Sequence, residues 1–451
     1  MTLLVISPDY ASHLLPLASI ATAWQAAGER VVVATGPANA ALVDQFGYDH
    51  VELVLGRGSN AGIIRAEDQP RGEDESLRGF FAATRRGMVE TLRYQAEARH
   101  TDLLWEPVAS ARRVIEIVEQ ERPDRILVDH LAFGATLGLQ AVGIPYADVV
   151  LGHPTALPVG DEVYGGVTSW PACIDPELDL EDLEQLRALC RSVRDAFTAD
   201  WNEATEAVVA GLGRSGAGAG AGPPDLTDAF AVHGDHVLFN YPAELHPPER
   251  TALLAESLGR HTFLGSSIRT DEVDPSIAEW FASLSERPVV YVSFGSFLSA
   301  RADVLATVAA ALADMDVDVM LASGSASLAE LGPLPDRWLV RPSLPQVACL
   351  AHADVAVTHG GNNSVTECLH HGVPMVVMPF STDQFEGAAA IERHGSGISL
   401  APNTVTAPDL AAGIEEILAG PFAKAATAVA DHLRSEPGPQ RALTALSCGE
   451  P

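Results

Sequence analysis

Two series of short, continuously apolar runs, most followed by a stretch of helical periodicity, constrain this chain more than any other feature. Leu3–Ser7, Arg30–Ala34, Asp124–Val128 and Tyr146–Val150 make up the first series. Val289–Ser293, Asp318–Ala322, Trp338–Arg341, Asp354–Thr358, Met375–Met378 and Gly397–Leu400 make up the second. A strand that is apolar on both faces needs cover on both, and strand–helix alternation supplies it as a parallel sheet between helical layers. Helices are predicted over Leu14–Ala27, closed by Gly28, and over Ala132–Val142. The fold class is therefore α/β, with two facing doubly wound, Rossmann-like domains and a cleft between them. The first domain is expected over residues 1–265, a crossing linker over 266–288, and the second domain over 289–451. The last helix either stays in the second domain or packs back on the first. Ligands of such sheets bind at the carboxyl ends of the strands.

Additions interrupt the alternation. Arg57–Glu75 is polar and Gly-rich, an extended loop, and helical stretches follow over Ser76–Gln120 and Asp179–Ala210. Phe80, Phe81, Tyr94, Trp105, Tyr164 and Trp170 lie in or near them; additions of this kind commonly shape a pocket, whereas isolated aromatics are ordinary core. Ser215–Pro224 reads as a flexible surface loop. Gly211, Gly213 and Gly216 form a GxGxxG match, but it follows a helix pattern where a dinucleotide fingerprint needs a strand, so Gly211 is read as a helix stop.

Charge excludes several partners. With 60 acidic against 28 basic residues the formal charge is −32, which disfavours nucleic acid and anionic membranes. The five cysteines are scattered, so neither a disulfide framework nor a structural zinc site is expected, and a reducing cytoplasm fits. No basic leader segment precedes Leu3–Ile6, and the uncharged runs Tyr10–Gly28 and Leu131–Ala147 are broken by Pro, Gln and Gly, so no membrane span is expected.

The chemistry concentrates in DVAVTHGGNNSVTECLHHGVPMVVMPFSTDQ, residues 354–384. A strand runs into His359-Gly360-Gly361, a helix starts near Asn362 and ends at Gly372, and a second strand leads to Asp383 and Gln384. Glycines let backbone approach a ligand, and a helix start offers unpaired N–H groups and the positive dipole end, which together suit an anion. Asn363, Ser364 and Glu367 share one helical face. A carboxylate beside a phosphate site makes sense if it accepts from sugar hydroxyls. Each residue also has a structural reading: Asn362 and Asn363 as caps, Glu367 as a complement to the dipole, His370 and His371 as a last turn.

HGGNNSVTE followed by GVPMVVMPFSTDQ, with SLPQ at Ser343–Gln346 upstream, resembles the donor-binding signature of GT-B glycosyltransferases, nearest to the family-1 enzymes that include bacterial macrolide and polyketide glycosyltransferases. SFGS at Ser293–Ser296 and HLLPLASIATAWQAAGERV near the N-terminus extend the likeness to both domains. The resemblance implies that His359, Gly361, Asn363 and Ser364 hold a diphosphate, Glu367 a ribose diol, and Asp383 and Gln384 the donor hexose. It places Gln346 in the base-recognition segment and Ser296 near the phosphates. The plant pattern carries a stacking Trp where this chain has Ser343, so uridine and thymidine donors both stay open.

His13 stands at the carboxyl end of the first strand, by a short loop, and Asp129 ends the strand ILVD. Both match catalytic positions of the family, and Asp129 can equally cap the helix before Ala132. The expected relay has His13 taking the acceptor proton while Asp129 stabilises the imidazolium. The expected function is inverting transfer of a hexose, glucose above all, from a UDP-sugar to a small hydrophobic natural-product aglycone, without a metal or resident cofactor, by a monomer or homodimer. A dTDP-deoxysugar enzyme, a nucleotide-sugar epimerase on the same fold and a catalytically silent binding protein are the alternatives. The helical additions, which suit a bulky acceptor, speak against the epimerase. The pairing of His13 with Asp129 speaks against the silent protein.

Overall fold

The computed structural model describes residues 1–60, 62, 73–174, 178–212 and 225–447. Both expected sheets are present and wholly parallel. The first holds β1 (Thr2–Ile6), β2 (Arg30–Thr35), β3 (Asp49–Glu52), β4 (Arg125–Asp129), β5 (Ala147–Val150), β6 (His236–Phe239) and β7 (His261–Phe263), in the order β3-β2-β1-β4-β5-β6-β7. The second holds β8 (Val289–Ser293), β9 (Asp318–Ala322), β10 (Leu339–Arg341), β11 (Val355–Thr358), β12 (Met375–Val377) and β13 (Gly397–Ser399), in the order β10-β9-β8-β11-β12-β13. The strand order reverses between β1 and β4 in one sheet and between β8 and β11 in the other. These are the switch points at which open α/β sheets leave a crevice.

The strands β3, β6 and β7 were not expected from the sequence. Two of them, β3 and β7, are short and only half buried, so they lack the continuous apolar run that marks the others. The helix after β1 starts at Ala11, three residues earlier than its periodicity predicts, so His13 lies in its first turn and not in a loop. Its inner face is anchored by Leu14, Leu17, Ile20 and Trp24, all fully buried.

The additions fold as helices Glu73–Thr84, Met88–Asp102, Pro107–Glu121 and Leu180–Gly211. Gly87 at φ 105° breaks the first from the second, and Pro107 starts the third at a position where its missing N–H costs nothing. Asp179 caps the long helix by accepting from the Glu181 amide, and that helix ends at Gly211. Residues Gly213 to Pro224, and so most of the Gly-rich loop, lie outside the described residues, as does most of the loop after Arg57.

Phe80 and Phe81 of the first added helix reach the second domain and pack on Phe297 at 5.0 and 5.2 Å between ring centres. The last helix, Gly438–Ser447, crosses back: Ala442 is fully buried among Leu14 and Leu17, and Arg260 donates to the Ala445 carbonyl. The segment after residue 265 is more than a linker, because it carries its own helix, Pro275–Ala282, capped by Asp274. Among the described residues no helix is long and apolar enough to cross a membrane.

Candidate active site

The two switch points face each other. β1 leads to His13 and its neighbour β4 ends in Asp129; the register that pairs Ile6 with Val128 brings the two chain ends level. His13 Nδ1 lies 2.7 Å from Asp129 Oδ2. The other carboxylate oxygen accepts from the Leu131 amide at 2.9 Å. Asp129 therefore orients the imidazole and closes its own turn; the helix Phe133–Val142 is capped at Ala132 without any side chain, so the capping role does not apply. With Nδ1 engaged, the Nε2 edge of His13 is the one left for a reactant. Burial pulls the imidazole pKa down, but the charge and hydrogen bond of Asp129, helped by Asp383, lift it above the ordinary histidine value.

Across the cleft, β8 leads to Ser296 and β11 to His359. Gly360 takes φ 83°, and a Cβ on Gly361 would fall 2.4 Å from His359 Nε2, so this turn closes around the imidazole only with glycines. Among the described residues no carboxylate pairs with His359, and burial lowers its pKa to about 4, leaving a neutral ring. The helix Asn362–His371 begins with Gly361 as its cap and no side-chain cap, so its first-turn amides have no carbonyl one turn back.

Neither asparagine caps that helix. Asn362 Nδ2 donates to the carbonyls of Leu151 and Asn240 in the first domain, at 2.5 and 2.9 Å. Asn363 Nδ2 donates to the Ser12 carbonyl at 2.8 Å. That carbonyl is free because Pro16, four residues on, has no N–H to give it. A proline inside the His13 helix thus supplies the acceptor on which the donor-side helix docks, one residue from His13.

Glu367 is buried and held on both oxygens: Arg269 Nη1 meets Oε1 at 2.7 Å and Gln346 Nε2 meets Oε2 at 2.6 Å. Burial nevertheless raises its pKa, against the pull of Arg269 and Gln346. Gln346 also donates to Ser364 Oγ and accepts from Tyr291. Gln384 turns inward, its oxygen accepting the Phe380 and Ser381 amides. Asp383 bridges the domains by accepting from the His153 amide at 2.6 Å. His370 packs against the linker through Ser266.

Two cavities meet at His13. The larger, of about 1040 Å³, lies between the domains. Ser296, Gln346, His359, Gly361, Asn363, Ser364, Glu367, Asp383 and Gln384 all line it, as does His13. The smaller, of about 230 Å³, runs into the first domain and is lined by His13, Asp129, Arg99, Tyr164 and Glu386 among others. His13, Leu151, Gly152, Thr382 and Asp383 border both. Sequence reasoning missed Arg269, Arg99, Thr382 and Glu386. Arg269 sits in the crossing segment and Arg99 on an added helix, and no local pattern marks either as facing a cavity.

Two doubly wound domains opposed across such a cleft are the GT-B architecture of glycosyltransferase structures. The glycosyltransferase VinC in complex with DTDP superposes on 99% of this chain with a TM-score of 0.64 at 19% identity, over 98% of its own chain. Residues 263–434 match the family described as UDP-glucoronosyl and UDP-glucosyl transferase. The elloramycin glycosyltransferase ElmGT of Streptomyces olivaceus is 28% identical over 97% of this chain and 95% of its own length. The uncharacterized UDP-glucosyltransferase YdhE of Bacillus subtilis (strain 168) is 32% identical over 35% of this chain, a match that spans only 39% of that relative.

Proposed function

We propose that the protein is an inverting glycosyltransferase that moves a hexose from a nucleoside diphosphate sugar to a hydroxyl of a small natural-product aglycone. The observation that carries this reading is the meeting of a small cavity and a large interdomain cleft at one carboxylate-paired histidine. The acceptor enters the smaller cavity and presents its hydroxyl to His13 Nε2. As that proton is taken, Asp129 stabilises the imidazolium. The acceptor oxygen attacks the anomeric carbon from the side opposite the diphosphate, which inverts it. The departing diphosphate is met by the first-turn amides of Asn362–His371, by Ser296 and Ser364, and by His359 as a neutral N–H donor. Asp383, on the border of both cavities, faces the hexose.

The donor is a UDP-hexose in this reading, with Glu367 accepting from the ribose. A dTDP-sugar is the second reading. Ser343 at the stacking position and the engagement of both Glu367 oxygens by Arg269 and Gln346 favour it, as does the DTDP carried by VinC. Incubation of the purified protein with UDP-glucose or TDP-glucose, with and without phenolic or polyketide acceptors, tests both. The expected result is acceptor-dependent release of one nucleoside diphosphate and a β-linked product from an α-linked donor. An α-linked product, or no release with either donor, rejects the proposal.

A further inference from the structure

The larger cavity keeps a donor in reserve, in the segment that crosses between the domains. Arg269 lines this cavity, with its side chain 23% exposed. Two of its three nitrogens are taken: Nε donates to Asp271 and Nη1 to Glu367, each at 2.7 Å. Among the described residues Nη2 donates to nothing, and it keeps accessible surface. The polar groups around it are spent on one another. Gln346 donates to Glu367 and Ser364 and accepts from the Tyr291 hydroxyl. Glu367 is engaged on both oxygens. Asp271 holds Arg269 with one oxygen and the Val347 amide with the other. This part of the wall is therefore fixed in advance, and Nη2 is a donor it still offers.

Place and charge define what that donor meets. In the transfer reading the diphosphate sits at the start of the helix Asn362–His371. Glu367 lies further along that helix, by about 7.5 Å at roughly 1.5 Å per residue. The segment that bears Arg269 runs beside the far half of the helix, where Ser266 meets His370 at 3.1 Å. Arg269 therefore reaches Glu367 from the side away from the diphosphate. In a nucleoside diphosphate the ribose follows the phosphates and the base follows the ribose. With Glu367 at the ribose, Arg269 stands at the base. Two carboxylates already offset the guanidinium, so its open arm suits a neutral oxygen rather than a further anion. Uracil and thymine present such oxygens as ring carbonyls.

We propose that Arg269 reads the nucleobase of the sugar donor, its Nη2 donating to a ring carbonyl of a pyrimidine. This rests on the transfer reading above and deepens its donor site, for a uridine and a thymidine donor alike. The test uses UDP with 2-thio-UDP and 4-thio-UDP, in which sulfur, a poor acceptor, replaces one ring carbonyl oxygen. TDP and its two thio analogues are run alongside. Binding is measured by calorimetry to the wild-type chain, Arg269→Met and Arg269→Lys. One thio analogue is expected to bind the wild type about tenfold or more weaker than its parent, as loss of a hydrogen bond from a charged donor requires. Arg269→Met should bind that analogue and its parent equally. Arg269→Lys keeps a cation beside Asp271 and Glu367 but lacks the planar fork that aims Nη2. It should fold like the wild type and lose most of the discrimination. If Arg269 served only to hold Glu367, its replacement would weaken parent and analogues alike and leave their ratio unchanged. That result overturns the proposal, as does a wild type that binds parents and analogues equally. Failure of both UDP and TDP to bind the wild type removes the donor site and this proposal with it. A ratio that survives Arg269→Met while the parents bind tightly removes this proposal alone.

Discussion

His13 and His359 stand on opposite sides of one cleft, His13 after the first strand of its sheet and His359 after the strand that pairs with the first strand of the other. Each follows a strand at the switch point of a parallel sheet, and each faces the same cleft. Their chemistry diverges because of one neighbour. His13 has Asp129 at 2.7 Å and is lifted above the ordinary histidine value in spite of burial. His359 has bare glycine backbone around it and falls to about 4. In the proposed reaction the first imidazole gains a proton from a substrate, and the second stays neutral and donates a single hydrogen bond. Topology puts a histidine at each crevice; the adjacent strand decides what it does.

The largest effect that can break this comparison is removal of the paired imidazole. His13→Ala is expected to lower kcat by about a hundredfold or more while donor affinity stays near that of the parent chain. Normal turnover by that variant, measured by nucleoside diphosphate release, removes His13 from the mechanism. The matching His359→Ala variant should act on the leaving group, so its loss should shrink with donors whose diphosphate is a better leaving group.

The pH profile sharpens the contrast. A base with a raised pKa is disabled as pH falls through that value, so kcat/KM should decline on the acid side with a midpoint above about 6.5. Asp129→Ala takes away the charge and hydrogen bond that raise it, and should move the limb to lower pH as well as slow the reaction. His359, at about 4, should add no inflection between pH 5 and 8. A limb that stays in place in Asp129→Ala assigns it to another group.

Glu367→Ala is expected to act on donor binding rather than on chemistry. It removes the acceptor proposed for the ribose and leaves Arg269 without one of its two carboxylates, Asp271 being the other. A rise in donor KM of about tenfold, with kcat little changed, is the expected result. A rise for UDP-glucose but not for TDP-glucose would assign Glu367 to the 2′-hydroxyl. Smallest of all should be Asn363→Ala, which deletes one hydrogen bond across the cleft, worth about 1 kcal/mol. A modest loss of kcat/KM, without a change in thermal stability beyond that size, is expected; no loss at all would show that the bond to Ser12 does not help close the site.

Much of this site was legible early because its parts are local. The run from Asp354 to Gln384 carries strand, glycine turn, helix start and second strand in one stretch, and β1 with His13 reads the same way. Side-chain partners were not legible, because they join distant residues. Asn363 meets Ser12 across 351 positions and Asp383 meets His153 across 230. No periodicity separates a phosphate-facing asparagine from one that docks on a carbonyl. Arg269 looked like linker and Arg99 like one more cation on an amphipathic helix.

The amino-acid order by itself determined that there are two parallel sheets and that a glycine turn and a helix start follow His359, since apolar runs and glycine turns act through the nearest few peptide units. Only the tertiary structure decided which histidine is paired, which carboxylates are already satisfied and which guanidinium is left open. Protonation and hydrogen bonding depend on distances of a few ångströms between groups that the chain keeps far apart until it folds.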